Sequence, residues 1–239
     1  MYRYLVGAAF FAVLWSLLFA LLPRGRRAML WSGLALGHLG PLSEYWHLKD
    51  YWNPVYLAEL QIGAWSFGLE DYLFAFAFAG MGAGIFDLLA RRAGQEELAK
   101  VEVSGFVRLA AVGLACLGAM GGLAEVFGIN SLHGIAIAFL AGALLLFALR
   151  PRWMPAAVQT AFAMAGMVWL FYWGFYLRLF PGIIEEWWHA GALAGVFLGG
   201  VPIEEVIWAW SGGLFVGPVA RYCLSQAPSV RLRFSLSLR

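Results

Sequence analysis

Two pairs of adjacent acidic residues, Glu70-Asp71 and Glu204-Glu205, stand inside runs that are otherwise apolar. A carboxylate in hydrocarbon costs about 2.5–3.5 kcal/mol on insertion scales, so four of them are a large burden. The plain reading is that they are protonated and hydrogen-bond between helices. Such bonds average well under about 2 kcal/mol, which offsets part of the cost and leaves the matched placement unexplained. The chemical reading is stronger. Carboxyls crowded into a dry site do not titrate together, so one holds its proton while a neighbour stays ionised. That supplies an acid and a base without a cofactor.

The two pairs lie in related sequence. Phe67-Gly68-Leu69-Glu70-Asp71-Tyr72-Leu73-Phe74 aligns with Val201-Pro202-Ile203-Glu204-Glu205-Val206-Ile207-Trp208, and a glycine-rich run ending in arginine follows each. Upstream, Glu44-Tyr45-Trp46-His47 echoes Glu186-Trp187-Trp188-His189. Pro202 lacks an N–H and is expected to kink a helix one turn before the glutamates, with Gly199 and Gly200 admitting close packing. Gly68 at the matching place predicts a milder bend. Neighbouring helical residues point about 100° apart, so one member of each pair can face a cavity while the other meets an adjacent helix. Ring faces among Trp65, Tyr72, Phe74, Phe76, Phe78, Trp169, Tyr172, Trp173, Trp208 and Trp210 are mostly packing or lipid-facing. A few of them lining the cavity would stabilise a carbocation.

The elements that must carry these residues are membrane helices. Of 239 residues, 62% are apolar and 13% charged, with mean hydropathy +0.76, too little polar surface for a soluble domain of this length. A crossing takes roughly 20 residues. The apolar runs 4–22, 28–42, 62–89, 107–127, 132–149, 156–176 and 191–219 predict seven spans, the second short and ending at Pro41. No small-x-small cleavage site follows the first, so it is read as a retained helix. With seven spans, 3 of the 16 Lys and Arg fall on the N-terminal side and 13 on the other. Basic residues stay cytoplasmic, which puts the N-terminus outside and the C-terminus inside, in the plasma membrane of a prokaryote.

The fold class is therefore all-α, a polytopic helical bundle of two parallel three-helix repeats and a connector. The expected divisions are 1–95, a connecting helix in 96–128, a second repeat 129–223, and a cytoplasmic tail 224–239. Same-orientation repeats are related by an axis along the membrane normal, so both pairs should lie at similar depth and face one cavity. No strands are expected, and no glycine-rich dinucleotide turn is present. Scattered arginines exclude a nucleic-acid stripe, and Cys116 and Cys223 form no disulfide framework. Glu44/His47 and Glu186/His189 have the one-turn spacing of di-iron bundles, but with only Glu59 and Glu185 nearby they read more simply as an interfacial aromatic belt. No metal is expected. An intramembrane protease of the Glu-Glu type would need arginine where Ala209 stands.

At the second pair the chain resembles the integral membrane lycopene cyclase family of actinobacteria, archaea and fungi. That family carries hydrophobic-Pro-hydrophobic-Glu-Glu motifs in tandem domains of about three helices. Residues 201–208 match in full; residues 67–74 match with Gly for Pro and Asp for the second Glu. The resemblance implies redox-neutral cyclisation of a linear carotenoid end group without a cofactor. Glu204 and Glu205 are then the main candidates for proton chemistry, Glu70 and Asp71 their partners, and Trp65, Trp208 and Pro202 the candidates to contact a hydrophobic polyene in the lipid bilayer. A carotenoid- or isoprenoid-binding subunit, or a proton-coupled carrier, would use the same cavity. A homo-oligomer or a membrane-complex partner is left open.

Overall fold

The computed structural model describes residues 2–94 and 102–225. The expected repeat boundary at 95/96 and nearly all of the 224–239 tail lie outside these residues. The described chain is overwhelmingly helical. It runs α1 (Arg3–Leu21), α2 (Arg26–Leu36), α3 (Leu39–Asp50), a hairpin of β1 (Leu60–Ile62) and β2 (Trp65–Phe67), then α4 (Leu69–Arg92), α5 (Val103–Phe127) and α6 (Ser131–Leu149). After α6, α7 (Met154–Leu170) passes through a π-helical turn, Phe171–Tyr176, into α8 (Leu177–Leu179). The short α9 (Ile183–Trp187), a hairpin of β3 (Phe197–Leu198) and β4 (Val201–Pro202), and α10 (Ile203–Leu224) complete it.

Among the described residues, five helical segments are long and apolar enough to cross a membrane: Arg3–Leu21, Leu69–Arg92, Val103–Phe127, Ser131–Leu149 and Pro151–Leu179. The other two of the seven expected spans fall short for different reasons. The second is broken at Gly37 and His38 into α2 and α3, each too short to cross alone. Pro41 does not end it but sits in the first turn of α3, where a missing N–H costs no helical bond. The seventh, α10, carries Glu204, Glu205 and Arg221 within its 22 residues.

The two expected long spans begin later than hydropathy suggests. Residues 60–67 and 197–202 form hairpins, not helix, which overturns the expectation of no strands. Gly199 and Gly200 are the two-residue turn of the second hairpin, with φ of +65° and +89°. Two successive positive φ values are what a twisted two-residue hairpin requires, and Gly-Gly meets it without Cβ strain. Pro202 is therefore not a kink inside a helix. It caps α10 at φ −56°, ψ 134°, where its fixed φ and absent N–H suit a helix start. Gly68 caps α4 in the same way, at φ −129°, ψ 172°.

Packing divides the helices into two groups. α4 lies against α1 and α2, α10 lies against α6 and α7, and α4 and α10 pack on each other. At one end of that crossing Asp87 of α4 meets Arg221 of α10 at 3.2 Å and Arg91 at 2.9 Å. At the other end the two halves join by backbone pairing. Asn53 N donates to Trp187 O at 2.7 Å and His189 N to Tyr51 O at 2.9 Å, around a Trp52–Trp188 bridge. The echoed upstream segment of the second half is thus strapped to the chain just beyond that of the first. Rings then close over the junction, with Trp52 on Trp188 at 5.5 Å and on Tyr4 at 5.1 Å.

Candidate active site

Because each hairpin ends at a cap, each acidic pair occupies the second and third residues of a helix, Glu70-Asp71 in α4 and Glu204-Glu205 in α10. Neither pair is buried within a span, as the hydropathy runs imply; each sits at a helix mouth, where exposed backbone N–H groups favour negative charge. All four are nonetheless buried, 2–6% exposed. The equivalent phase sends equivalent residues the same way. Glu70 accepts from Leu57 N at 2.8 Å and Glu204 from Ala194 N at 2.5 Å. These first members reach back and hold the preceding loop.

The second members turn inward. Asp71 Oδ1 accepts from the Tyr4 hydroxyl at 2.6 Å and Oδ2 from Gly68 N at 2.8 Å. Glu205 Oε1 accepts from the Tyr51 hydroxyl at 2.6 Å and from Trp188 Nε1 at 3.0 Å. The contrast follows from the caps. Gly68 has an N–H to give to the carboxyl three residues on, whereas Pro202 has none, so Glu205 takes its donors from Tyr51 and Trp188 instead.

Asp71 and Glu205 line one cavity of about 170 Å³ beneath the strapped loops. A third carboxyl shares it. Glu44, 3% exposed on α3, accepts from Trp52 Nε1 at 3.1 Å and the Tyr56 hydroxyl at 3.3 Å, both on Oε2. Among the described residues none of these carboxyls forms an ion pair, so hydrogen bonds from tyrosines, tryptophans and one backbone amide are what balance them. Elsewhere the wall is aromatic and aliphatic. Trp208 is set between α4 rings, 5.8 Å from Phe74 and 4.5 Å from Phe78. The π-helical turn swings Phe171, Tyr172 and Tyr176 toward the same space. A glycine keeps α3 close: a Cβ on Gly40 would run into the carbonyl of Asp71.

Not every candidate residue reaches the cavity. Of the polyene candidates, Trp208 lines it; Trp65 sits in β2 and donates its indole N–H to Pro41 O at 2.8 Å, and Pro202 caps α10. Phe74, Phe78 and Tyr172 line it too. Trp169 instead stacks on Trp173 at 5.1 Å and donates to Leu198 O at 2.9 Å, anchoring the second hairpin. The echoed Glu-x-x-His segments diverge. Glu44 and His47 face the cavity, while Glu186 lies outside it, in an exposed ion pair with Arg3. Tyr4 and Tyr51 had no signal in the sequence, while Glu44 and Trp188 stood in the echoed segments and read there as an interfacial belt, not as cavity groups. The signal for Glu44 was its echo of Glu186, hidden because the apolar run ends at Leu42, before it.

Residues 130–223 match the family model for lycopene cyclase. That match spans α6, α7 and α10 and takes in the complete motif with Pro202, Glu204 and Glu205. Over those residues the chain is similar to lycopene cyclases. No curated protein and no solved structure matches the chain. With five apolar helices and a lycopene cyclase segment, the protein is an integral membrane protein. Within the lycopene cyclase match fall Glu205, Tyr172, Trp188 and Trp208 of the cavity; Glu44, Tyr51 and Asp71 come from the half outside it.

Proposed function

We propose that this protein cyclises the end group of a linear carotenoid by redox-neutral acid–base chemistry. The observation that carries the reading is that Asp71 and Glu205, at matching positions of two helix mouths, open into one aromatic cavity. One carboxylic acid donates its proton to the terminal alkene. The resulting cation is attacked by an internal double bond, closing a ring. A carboxylate then removes a ring proton to form the alkene of the ionone. Protons balance, and no electrons are exchanged.

Asp71, with a donor on each oxygen, is suited to be the base. Glu205, whose two short donors share Oε1, is suited to deliver the proton. Trp208, Phe74 and Phe78 offer ring faces to the cation. Glu70 and Glu204 keep the hairpin loops in place, and so act through position. The mature architecture in this reading has seven crossings. The broken α2–α3 and the charged α10 complete the five apolar segments, repeats 1–95 and 129–223 flank a connector, and the N-terminus lies outside a prokaryotic plasma membrane. The 3-to-13 split of basic residues supports it.

The test is expression in a lycopene-accumulating host with products separated chromatographically. New cyclic carotenoids support the reading. Lycopene recovered unchanged but bound to the purified protein would replace it with a carotenoid-binding role.

A further inference from the structure

The cavity is linked to a second, surface-open cleft by an unbroken line of hydrogen-bonding groups. His47, one turn beyond Glu44 on α3, lines the cavity. Its Nδ1 lies 2.6 Å from Ser131 Oγ, and Ser131 Oγ lies 2.5 Å from Asp50 Oδ1. Ser131 is fully buried. Asp50 lines the cleft together with Lys49, His133 and His189. The Ser131 backbone N–H also donates to Asp50 Oδ2 at 2.8 Å, and Asn130 Nδ2 to Asp50 O at 2.8 Å. These bonds tie the end of α3 to the start of α6. They account for Asp50, but they do not require a hydroxyl at 131 or an imidazole at 47.

We infer that His47, Ser131 and Asp50 form a proton-exchange path between the carotenoid cavity and the surface cleft. The inference rests on the acid–base reading of the cavity. Cyclisation takes a proton from one carboxyl and leaves a proton on another, so the site must be reset after each ring. A Ser131 hydroxyl that donates to Asp50 requires His47 to carry its proton on Nδ1, leaving Nε2 as acceptor. When Nε2 takes a proton that the base has released into the cavity, the Nδ1 proton passes to Ser131 Oγ. The serine proton passes to Asp50, which releases it to the cleft. The reverse passage returns a proton to the acid and restores the starting tautomer. One outward and one inward transfer therefore match one ring and leave the path unchanged.

Ser131→Ala removes the middle of the path while keeping the backbone bond to Asp50. Asp50→Asn keeps an acceptor for that bond and removes the titrating end. Rings made in heavy water by wild-type protein should carry solvent deuterium. In both variants turnover should fall by at least about tenfold, and deuterium content should fall, because the proton taken from one substrate is reused on the next. Infrared-detected exchange of the buried carboxyl stretch in purified, substrate-free protein should slow by a similar factor. Unchanged exchange and full deuterium content in both variants would overturn the path. Slowed exchange in variants of a protein that forms no ring would keep the path and discard the cyclase reading.

Discussion

Tyr51, at the C-terminal end of α3, donates its hydroxyl to Glu205 of α10 at 2.6 Å. A residue of the first half thus positions the carboxyl of the second, and the bond runs between segments held together by the Trp52–Trp188 strap. Tyr51→Phe removes this donor and leaves Trp188 Nε1 on the same oxygen. As Glu205 gives up its proton the bond becomes one to a charged group, worth about 1.5–3 kcal/mol, so ring formation should drop by about tenfold or more while the protein still inserts. Product yield beside thermal unfolding in detergent separates the two effects. Equal yields from Tyr51→Phe and wild type would remove Tyr51 from the site.

The two members of each acidic pair should respond differently. Glu205→Gln and Asp71→Asn keep size and hydrogen-bonding capacity but remove the titrating proton. General acid–base assistance is worth about 10²–10⁴-fold, so each should nearly abolish cyclisation at normal expression. Glu70→Gln and Glu204→Gln can still accept from Leu57 N and Ala194 N. Those two should retain most activity and lose mainly stability. The reverse ranking would mean that the loop-holding carboxyls carry the chemistry.

Glu44 is the third carboxyl on the cavity wall, with both of its donors on Oε2. Glu44→Gln leaves an acceptor for Trp52 and Tyr56, so folding should survive. Conversion should fall less than for Glu205→Gln, because a titratable neighbour of the base is lost while the base remains. A loss as complete as that of Glu205→Gln, read from chromatographic product ratios, would promote Glu44 to a reacting group.

Gly40→Ala tests the close approach of α3 to α4. The added methyl meets the Asp71 carbonyl and Ala75 Cβ. Overpacking of this kind costs about 1–3 kcal/mol, and here it also pushes on the backbone that carries Asp71. A lowered unfolding temperature with disproportionate loss of turnover is expected, and an unaffected melt would show that the helices have room to separate.

Topology is open to direct labelling. Single cysteines at Lys49 and Arg152, in a variant with Cys116 and Cys223 replaced, should react from opposite faces of sealed cells, position 49 from outside. Labelling of both from the same side would defeat the seven-crossing arrangement.

Much of this was legible in sequence because the bilayer imposes simple local rules. Apolar runs long enough to span had to become helices, and five did; the ends of α1, α5 and α6 fall within a few residues of the hydropathy runs. The repetition of Glu70-Asp71 in Glu204-Glu205 was visible for the same reason, since charge in such surroundings stands out. What tertiary structure decided was phase and partnership. Which carboxyl of a pair faces the cavity depends on the residue at which the helix starts, and that was set by hairpins whose short apolar strands look like helix to a hydropathy window. Pro202 could be a kink or a cap by composition alone; the Gly199-Gly200 turn made it a cap. Glu44, Tyr51 and the His47–Ser131–Asp50 line gained their meaning only from contacts between residues up to 154 positions apart, and no local propensity records which distant side chain will supply a hydrogen bond.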